Sequence, residues 1–312
     1  MTEICTLDTC GTTRGGSTLE LSLLADRYVT GRYRRGEIGR GTAKTHRVVL
    51  HSVTATYGDR PARNFRALHV ERWLESCEHL TPSTRRMYFS VARGFTAWAA
   101  KNGHMKRDPM LDMKPPPKPR SIPRAMPSDD VALVLDAVPD ARARAIIALA
   151  VGSGLRCIEI SRANAEDVDW TGRSIRVVGK AGHEREVPTP EMVRQHLRTY
   201  LAEDPITCGP LIRSYVQPFK PLGAGYISAL VSLWMSQSGV KLGPRDGHGA
   251  HSLRHTAATD VLGRCGDIRV VKDMLGHATL ASTSVYIKHA ELPQMLSAME
   301  GRSYRQLPRR TR

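Results

Sequence analysis

At 312 residues, with 41% of side chains apolar, the chain is long enough for two domains and can bury a real core. Forty-six Lys and Arg against thirty Asp and Glu leave a formal charge of +16, a field that attracts a polyanion, nucleic acid above all. A bilayer span is excluded because the best apolar run, Ala145 to Val151, is short and is closed by Gly152 and Gly154. Residues Met1 to Gly16 have no basic head followed by an apolar block, so they do not read as a secretory signal. The six cysteines are scattered at positions 5, 10, 77, 157, 208 and 265, without the close pairs of a zinc site. They are expected to be reduced thiols of a cytoplasmic protein.

In chain order, residues 1–17 form a Gly/Ser/Thr-rich leader that is expected to be flexible. Apolar residues at helical spacing follow in Leu19, Leu21, Leu23, Leu24 and Tyr28. Further amphipathic segments cover Thr42 to Thr56, Leu68 to Cys77 and Thr81 to Lys101. The last opens on Thr81-Pro82-Ser83, an N-cap with proline in the first turn, and closes on Asn102-Gly103. Residues 18–107 therefore read as an all-helical domain. Residues 108–127 hold seven prolines from Pro109 to Pro127, interleaved with Lys114, Lys118, Arg120 and Arg124. That density forbids a helix and predicts a stiff, extended linker. Its cations suggest a strap along DNA backbone, and Arg85 and Arg86 on the preceding helix are further candidates for DNA contact.

The second unit opens with helical patterns at Ser128 to Val138 and Ala141 to Val151. Three short strands are predicted at Asp167 to Trp170, Ser174 to Val178 and Arg185 to Val187, with turns at Thr171-Gly172 and Ala181-Gly182. Helical patterns return at Met192 to Leu201, Tyr226 to Ser238, His251 to Gly263 and Ile268 to Leu275. The fold class is therefore mainly α with a small antiparallel sheet.

Several polar residues stand where a helical core would not want them. Arg156 follows Gly152-Ser153-Gly154-Leu155 at the end of an apolar helix, and Lys180 sits at the turn after a strand. His251, Arg254 and His255 open another helix, His277 ends Leu275-Gly276-His277, and Tyr286 lies nine positions on. Each alone has a bland explanation: a surface arginine, or a histidine at a helix C-terminus. A metal site on His251 and His255 lacks both an intervening glutamate and a nearby third ligand.

Taken together, in this order and spacing, they resemble the catalytic domain of the tyrosine recombinases, or phage integrases. Gly154-Leu155-Arg156 with Glu159 is similar to that family's first box, Val178-Gly179-Lys180 to its hairpin lysine, and His251-x-Leu253-Arg254-His255, Leu275-Gly276-His277 and Tyr286 to its second box. The resemblance covers residues 18 to 300. It implies a SAM-like core-binding domain over 18–107, a catalytic domain over 128–290, and a C-terminal helix and basic tail over 291–312 exchanged between protomers. Leu292, Met295, Leu296 and Met299 supply the apolar stripe of that helix. It further implies a C-shaped clamp on duplex DNA, a homotetramer in the synapse, and a possible accessory or directionality protein. A separate arm-binding domain is expected to be absent, since about seventeen residues precede the first helix.

The implied chemistry is cleavage and rejoining of DNA without metal, ATP or other cofactor. Arg156 and Arg254 would stabilise charge on the non-bridging phosphate oxygens. Tyr286 would form a 3′-phosphotyrosyl bond, His251 would take its proton, Lys180 would protonate the leaving 5′ oxygen, and His277 would bond the phosphate. Glu159 and His255 are expected to orient the arginines. Two departures stand out. Ala181-Gly182-His183 replaces a hairpin that usually holds a second cation, and Ser282-Thr283-Ser284 stands where paired threonines are common. Integration for a phage or mobile element is favoured over Xer-like dimer resolution. A type IB topoisomerase or telomere-resolving enzyme is disfavoured by the compact length and the complete recombinase motif set, and a catalytically silent DNA-binding protein by the intact Tyr286 and arginines. A metal-dependent nuclease would need carboxylate clusters that the sequence lacks.

Overall fold

The computed structural model describes residues 19–118, 125–179, 182–217, 219–243 and 246–276. The chain divides into two compact units, with the boundary between Arg120 and Ser121.

The first unit contains α1 (Leu21–Arg34), α2 (Arg40–Tyr57), α3 (Ala67–Ser76) and α4 (Pro82–Lys101), with one tight turn at Ala62–Asn64. Their apolar stripes meet in a core built on Leu21, Leu24, Val49, Leu50, Trp73, Phe89 and Phe95. Burial of each such side chain stabilises the unit by about 1.5–3 kcal/mol. The Trp73 indole N–H, which burial would otherwise orphan, donates to Ser52 Oγ at 2.9 Å. α4 starts as its sequence dictates, with the Thr81 hydroxyl accepting from the Thr84 amide and Pro82 in the first turn.

The proline-rich stretch begins inside this unit. Met105 and Met110 are buried in its core, while Arg93 donates to Leu111 O at 3.2 Å and Arg86 donates to Pro116 O. Two arginines seven residues apart lie on one face of α4, so together they hold the extended segment along the helix.

The second unit is built around α6 (Ala141–Gly152), whose residues Ala145 to Ala150 are all buried. α5 (Ser128–Ala137) precedes it, and the Asp140 carboxylate caps α6 by accepting from the Ala143 amide at 2.7 Å. α7 (Cys157–Arg162) leads into an antiparallel sheet of β1 (Val168–Asp169), β2 (Ser174–Val178) and β3 (Glu184–Pro188), in the order β1-β2-β3. Val168 pairs with Ile175, and Ile175 with Val187, so these three apolar residues share the buried face.

Then come α8 (Glu191–Glu203), α9 (Ala224–Gln237), α10 (Ala250–Cys265) and α11 (Ile268–Leu275). α8 and α10 pack on α6. A Cβ at Gly152 would lie 2.4 Å from Val193 Cγ2, so glycine sets the closeness of α6 to α8. The fold is mainly helical with one small antiparallel sheet, as the sequence patterns require. Among the described residues no helix is long and apolar enough to cross a membrane.

Candidate active site

The sequence pattern put Arg156 at the end of an apolar helix; the structure places it at the start of the next one. α6 stops at Gly152, and the chain turns through Gly154 in the left-handed region at φ +64°. A side chain there would press on Leu275, Met274 and Ala257, so this glycine admits α10 and α11 to the turn. Arg156 then caps α7, and its amide donates to Glu159 Oε2 at 2.8 Å, as an acidic residue in a first helical turn favours. Six residues are too few to show a helical repeat, which is why α7 left no periodic signal.

Glu159 is the hub. Its carboxylate is only 1% exposed, and three guanidinium groups from three elements reach it. Arg156 Nη1 bonds Oε1 at 2.8 Å. Arg185 on β3 forks across both oxygens, Nη1 to Oε1 at 2.9 Å and Nη2 to Oε2 at 3.1 Å. Arg254, 6% exposed on α10, stands 3.5 Å from Oε2. Burial on its own would raise the Glu159 pKa. The hydrogen bonds from Arg185 and the Arg156 amide, with the charges of Arg185 and Arg254, outweigh it and hold the carboxyl below its ordinary value.

The same arginines close the C-terminal end of α11. Its last carbonyls have no helical partner. Leu275 O accepts from Arg156 at 3.2 Å and from Arg254, while Met274 O accepts from Arg185 Nε at 3.0 Å. Arg254 also donates to Gly154 O. Cations at a helix C-terminus are favourable in their own right. Gly276, in the left-handed region, caps α11 after Leu275, and it is the last described residue of the chain.

His251 and His255 lie one turn apart on α10 with ring centroids 6.5 Å apart. Partial desolvation, then the charges of Arg254 and Arg156, hold His251 below the usual imidazole value; desolvation, His251 and Arg254 do the same for His255. Both imidazoles are therefore held toward the neutral form, which can accept a proton. Ser252 secures the start of α10 by bonding Gly249, and Thr256 Oγ1 accepts from the Met126 amide at 2.7 Å.

The structure thus brings Arg156, Glu159 and Arg254 into one cluster, with His251 and His255 on the helix that carries Arg254. Three cations converge on one carboxylate and three backbone carbonyls, so the cluster keeps an excess of positive charge suited to an anion. Lys180, His277, Tyr286, Arg120 and Arg124 lie outside the described residues. Lys114 and Lys118 are exposed, Arg85 is half-buried, and Arg86 is engaged with Pro116. Among the described residues no group of three His, Cys, Asp or Glu could hold a metal.

Arg185 was not singled out in the sequence. A signal was there: in Glu184-Arg185-Glu186-Val187, strand alternation puts Arg185 on the face of buried Val187, where a cation needs a partner.

The model of the phage integrase family matches residues 124–292, more than half of the chain. The chain belongs to the phage integrase family. Among curated relatives of this family member, tyrosine recombinase XerC of Rhodospirillum centenum is 34% identical over 212 residues, covering 65% of this chain and 61% of the relative. Tyrosine recombinase XerC of Chromobacterium violaceum is 33% identical over 199 residues, covering 62% and 65%. The match therefore spans less than two thirds of the length of these relatives.

The fold is shared with solved structures. A lambda integrase dimer bound to a COC′ core site aligns with TM-score 0.73 at 17% identity, over 93% of this chain and 80% of that one. The XerH site-specific recombinase bound to palindromic difH substrate, a post-cleavage complex, aligns with TM-score 0.71 at 18% identity, over 89% and 84%. A lambda integrase tetramer bound to a Holliday junction aligns with TM-score 0.73 at 17% identity, over 93% and 81%.

Proposed function

We propose that this family member is a site-specific DNA recombinase that cleaves and rejoins duplex DNA through a covalent bond to Tyr286. The observation that carries the reading is the convergence of Arg156 and Arg254 on Glu159 and on Leu275 O, in a chain of this family. Attack on a phosphodiester spreads negative charge over the non-bridging oxygens, and two preorganised guanidinium groups are suited to receive it.

In the cleavage step the Tyr286 oxygen bonds to phosphorus and the 5′ oxygen departs. The phenol proton passes to a base, for which His251 is suited by its neutral imidazole. Lys180 donates the proton that the departing 5′ oxygen takes up, and His277 bonds the phosphate. The phosphotyrosyl bond keeps the energy of the broken diester, so a 5′-hydroxyl can reverse the reaction without ATP. Glu159 and His255 orient the arginines and α10. Lys114, Lys118, Arg120, Arg124, Arg85 and Arg86 are proposed to contact DNA backbone, which sets register more than sequence.

Residues 18–107 serve as the core-binding domain, 108–127 as the linker and 128–290 as the catalytic domain. A tetramer forms in the synapse through the C-terminal segment that carries Leu292 to Met299. Its work is done on DNA in the cytoplasm, at the nucleoid, and an accessory or directionality protein is proposed as a partner. The favoured role is integration of a phage or mobile element. Resolution of chromosome or plasmid dimers is the second reading, supported by curated relatives named tyrosine recombinase XerC.

The test is covalent trapping. Wild-type protein and Tyr286→Phe are incubated with nicked duplexes of candidate junction sequence, without added metal, and resolved in detergent. A detergent-resistant adduct that requires Tyr286 and leaves a free 5′-hydroxyl is expected. No adduct on a DNA that the protein binds with sequence specificity would point to a silent DNA-binding protein instead.

A further inference from the structure

Of the three arginines on Glu159, the one on β3 has no part in the chemistry described above, yet it makes the most complete contact. Arg185 uses all three guanidinium nitrogens on two acceptor groups: Nη1 and Nη2 on the Glu159 oxygens, and Nε on Met274 O. Its side chain is 14% exposed. The fork is geometrically committed to Glu159 and the end of α11, so Arg185 is not arranged to take a phosphate itself.

We infer that Arg185 is a positioning residue for DNA cleavage: by bridging Glu159 to the last turn of α11, it fixes the two groups on which Arg156 and Arg254 are oriented. The inference rests on the recombinase reading and deepens it. Two features separate it from an ordinary buried ion pair. First, the acceptors are shared: Glu159 also holds Arg156 at 2.8 Å, and Leu275, next to Met274, accepts from both Arg156 and Arg254. Movement of either Arg185 acceptor therefore moves the supports of both other arginines.

Second, charge is apportioned. Arg185 occupies both carboxylate oxygens, whereas Arg254 stands at 3.5 Å from the nearer one. With Arg185 gone, a buried carboxylate would satisfy itself by drawing Arg156 and Arg254 inward, and an arginine bound more tightly to Glu159 stabilises a transition-state phosphate less. Arg185 keeps the hub strong enough to orient these two cations without neutralising them. It also ties a strand of the hairpin sheet to the helix end from which the chain continues to His277, across 89 residues of sequence.

The experiment uses the full chain and the adduct assay on a nicked duplex, at saturating DNA, in single turnover. Arg185→Met keeps length without charge; Arg185→Lys keeps charge without the fork. DNA affinity is measured separately by titration. In single turnover the rate constant reports geometry in each competent molecule, whereas the amplitude reports how many molecules are competent. Arg185→Met is expected to lower the rate constant by about 10–100-fold, by analogy with loss of the groups that orient metal ligands, with affinity for DNA unchanged. Arg185→Lys should fall between it and wild type.

A rate constant equal to wild type in both variants, with only amplitude or melting temperature reduced, would overturn the inference and leave Arg185 a structural residue. If Arg185→Met does not fold, the rate constant of Arg185→Lys decides by the same criterion. Absence of an adduct from wild-type protein would sink the recombinase reading, and this inference with it; a wild-type adduct with unaffected variants overturns this inference alone.

Discussion

Arg254 donates a hydrogen bond to the carbonyl oxygen of Leu275, the residue that ends α11. Its partner Arg156 donates to the same oxygen at 3.2 Å. A carbonyl at a helix C-terminus carries partial negative charge, so it holds the two guanidinium groups side by side as a weak stand-in for an anion. A phosphate oxygen carries more charge and would compete well for the same donors. The fork is what matters, because a single guanidinium serves Gly154 O, Leu275 O and the Glu159 carboxylate at once. Arg254→Lys keeps the charge but loses that geometry. Its adduct rate constant should fall by about 10²–10³-fold, the scale for removing one preorganised donor. A variant that cleaves nicked duplex as fast as wild type would show that charge alone suffices.

The hub itself can be read by stability. Glu159 is lowered in pKa in the folded chain despite its burial, because Arg185, the Arg156 amide and Arg254 favour its charged form. A carboxylate depressed by folding contributes stability that is full above the ordinary carboxylate range and is lost as pH falls through the folded value. Glu159→Gln leaves three cations around a neutral amide and should cost about 3–5 kcal/mol near neutral pH. Urea melts of both proteins from pH 7 downward check this. The two midpoints should converge as the wild-type carboxylate becomes protonated; a constant gap would deny Glu159 its ionised role.

Most of the fold was legible because its elements are long and periodic. The stripe from Leu21 to Tyr28, the cap at Thr81 and the all-buried run of α6 each combine a local propensity with a burial pattern that agrees with it. The site was half legible. Arg156, Glu159 and Arg254 were found through family resemblance, since nothing in their local spacing states that residues 95 apart in sequence meet on one carboxylate. What escaped was short or non-local. α7 is six residues long, and the role of Arg185 lies in a contact 26 residues away that strand alternation could hint at without naming the partner. The tie from Arg86 to Pro116 escaped for a different reason: a basic residue in a basic protein reads first as a DNA contact, whatever carbonyl it serves in the fold.

That ambiguity at Arg86 can be resolved. If the bond to Pro116 O and the neighbouring bond from Arg93 to Leu111 O hold the extended segment on α4, Arg86→Ala should expose residues 111–118 to proteolysis without DNA present. If Arg86 also neutralises a phosphate, the same variant should weaken DNA binding uniformly across sequences and reduce the slope of log affinity against log salt by about 1. Unchanged proteolysis would remove the docking role. An unchanged salt slope would remove the DNA contact.

If His251 takes the phenol proton, as proposed, the cleavage rate becomes a function of pH. Its imidazole is lowered by partial desolvation first and then by Arg254 and Arg156, with His255 one turn away on the same helix. The proton-accepting form therefore persists below the ordinary imidazole value of about 6.5. The adduct rate should hold steady from neutral pH down to that region and drop only on further acidification. His251→Gln should lower the plateau and flatten this acid limb. A limb that survives unchanged in the variant would assign the titration to another group.

Gly276 offers an independent handle on Arg185. It sits at φ +61°, and a Cβ there would lie 3.0 Å from Cδ, Nε and Nη1 of Arg185. A long side chain can normally swing away from such a contact, but this one is held by three hydrogen bonds, so even a shift of a few tenths of an ångström strains them. Gly266 is the matched control: it caps α10 at φ +67°, and a Cβ there meets nothing within 4 Å. Gly276→Ala and Gly266→Ala should each lose about 1–2 kcal/mol of stability from the left-handed backbone. Only Gly276→Ala should also slow adduct formation, since only it displaces the guanidinium that braces Glu159. Added to Arg185→Met, it should slow the reaction little further, because the group it would push is already gone. Equal slowing by the two alanines, or full additivity with Arg185→Met, would trace the effect to the strained helix end and away from the brace.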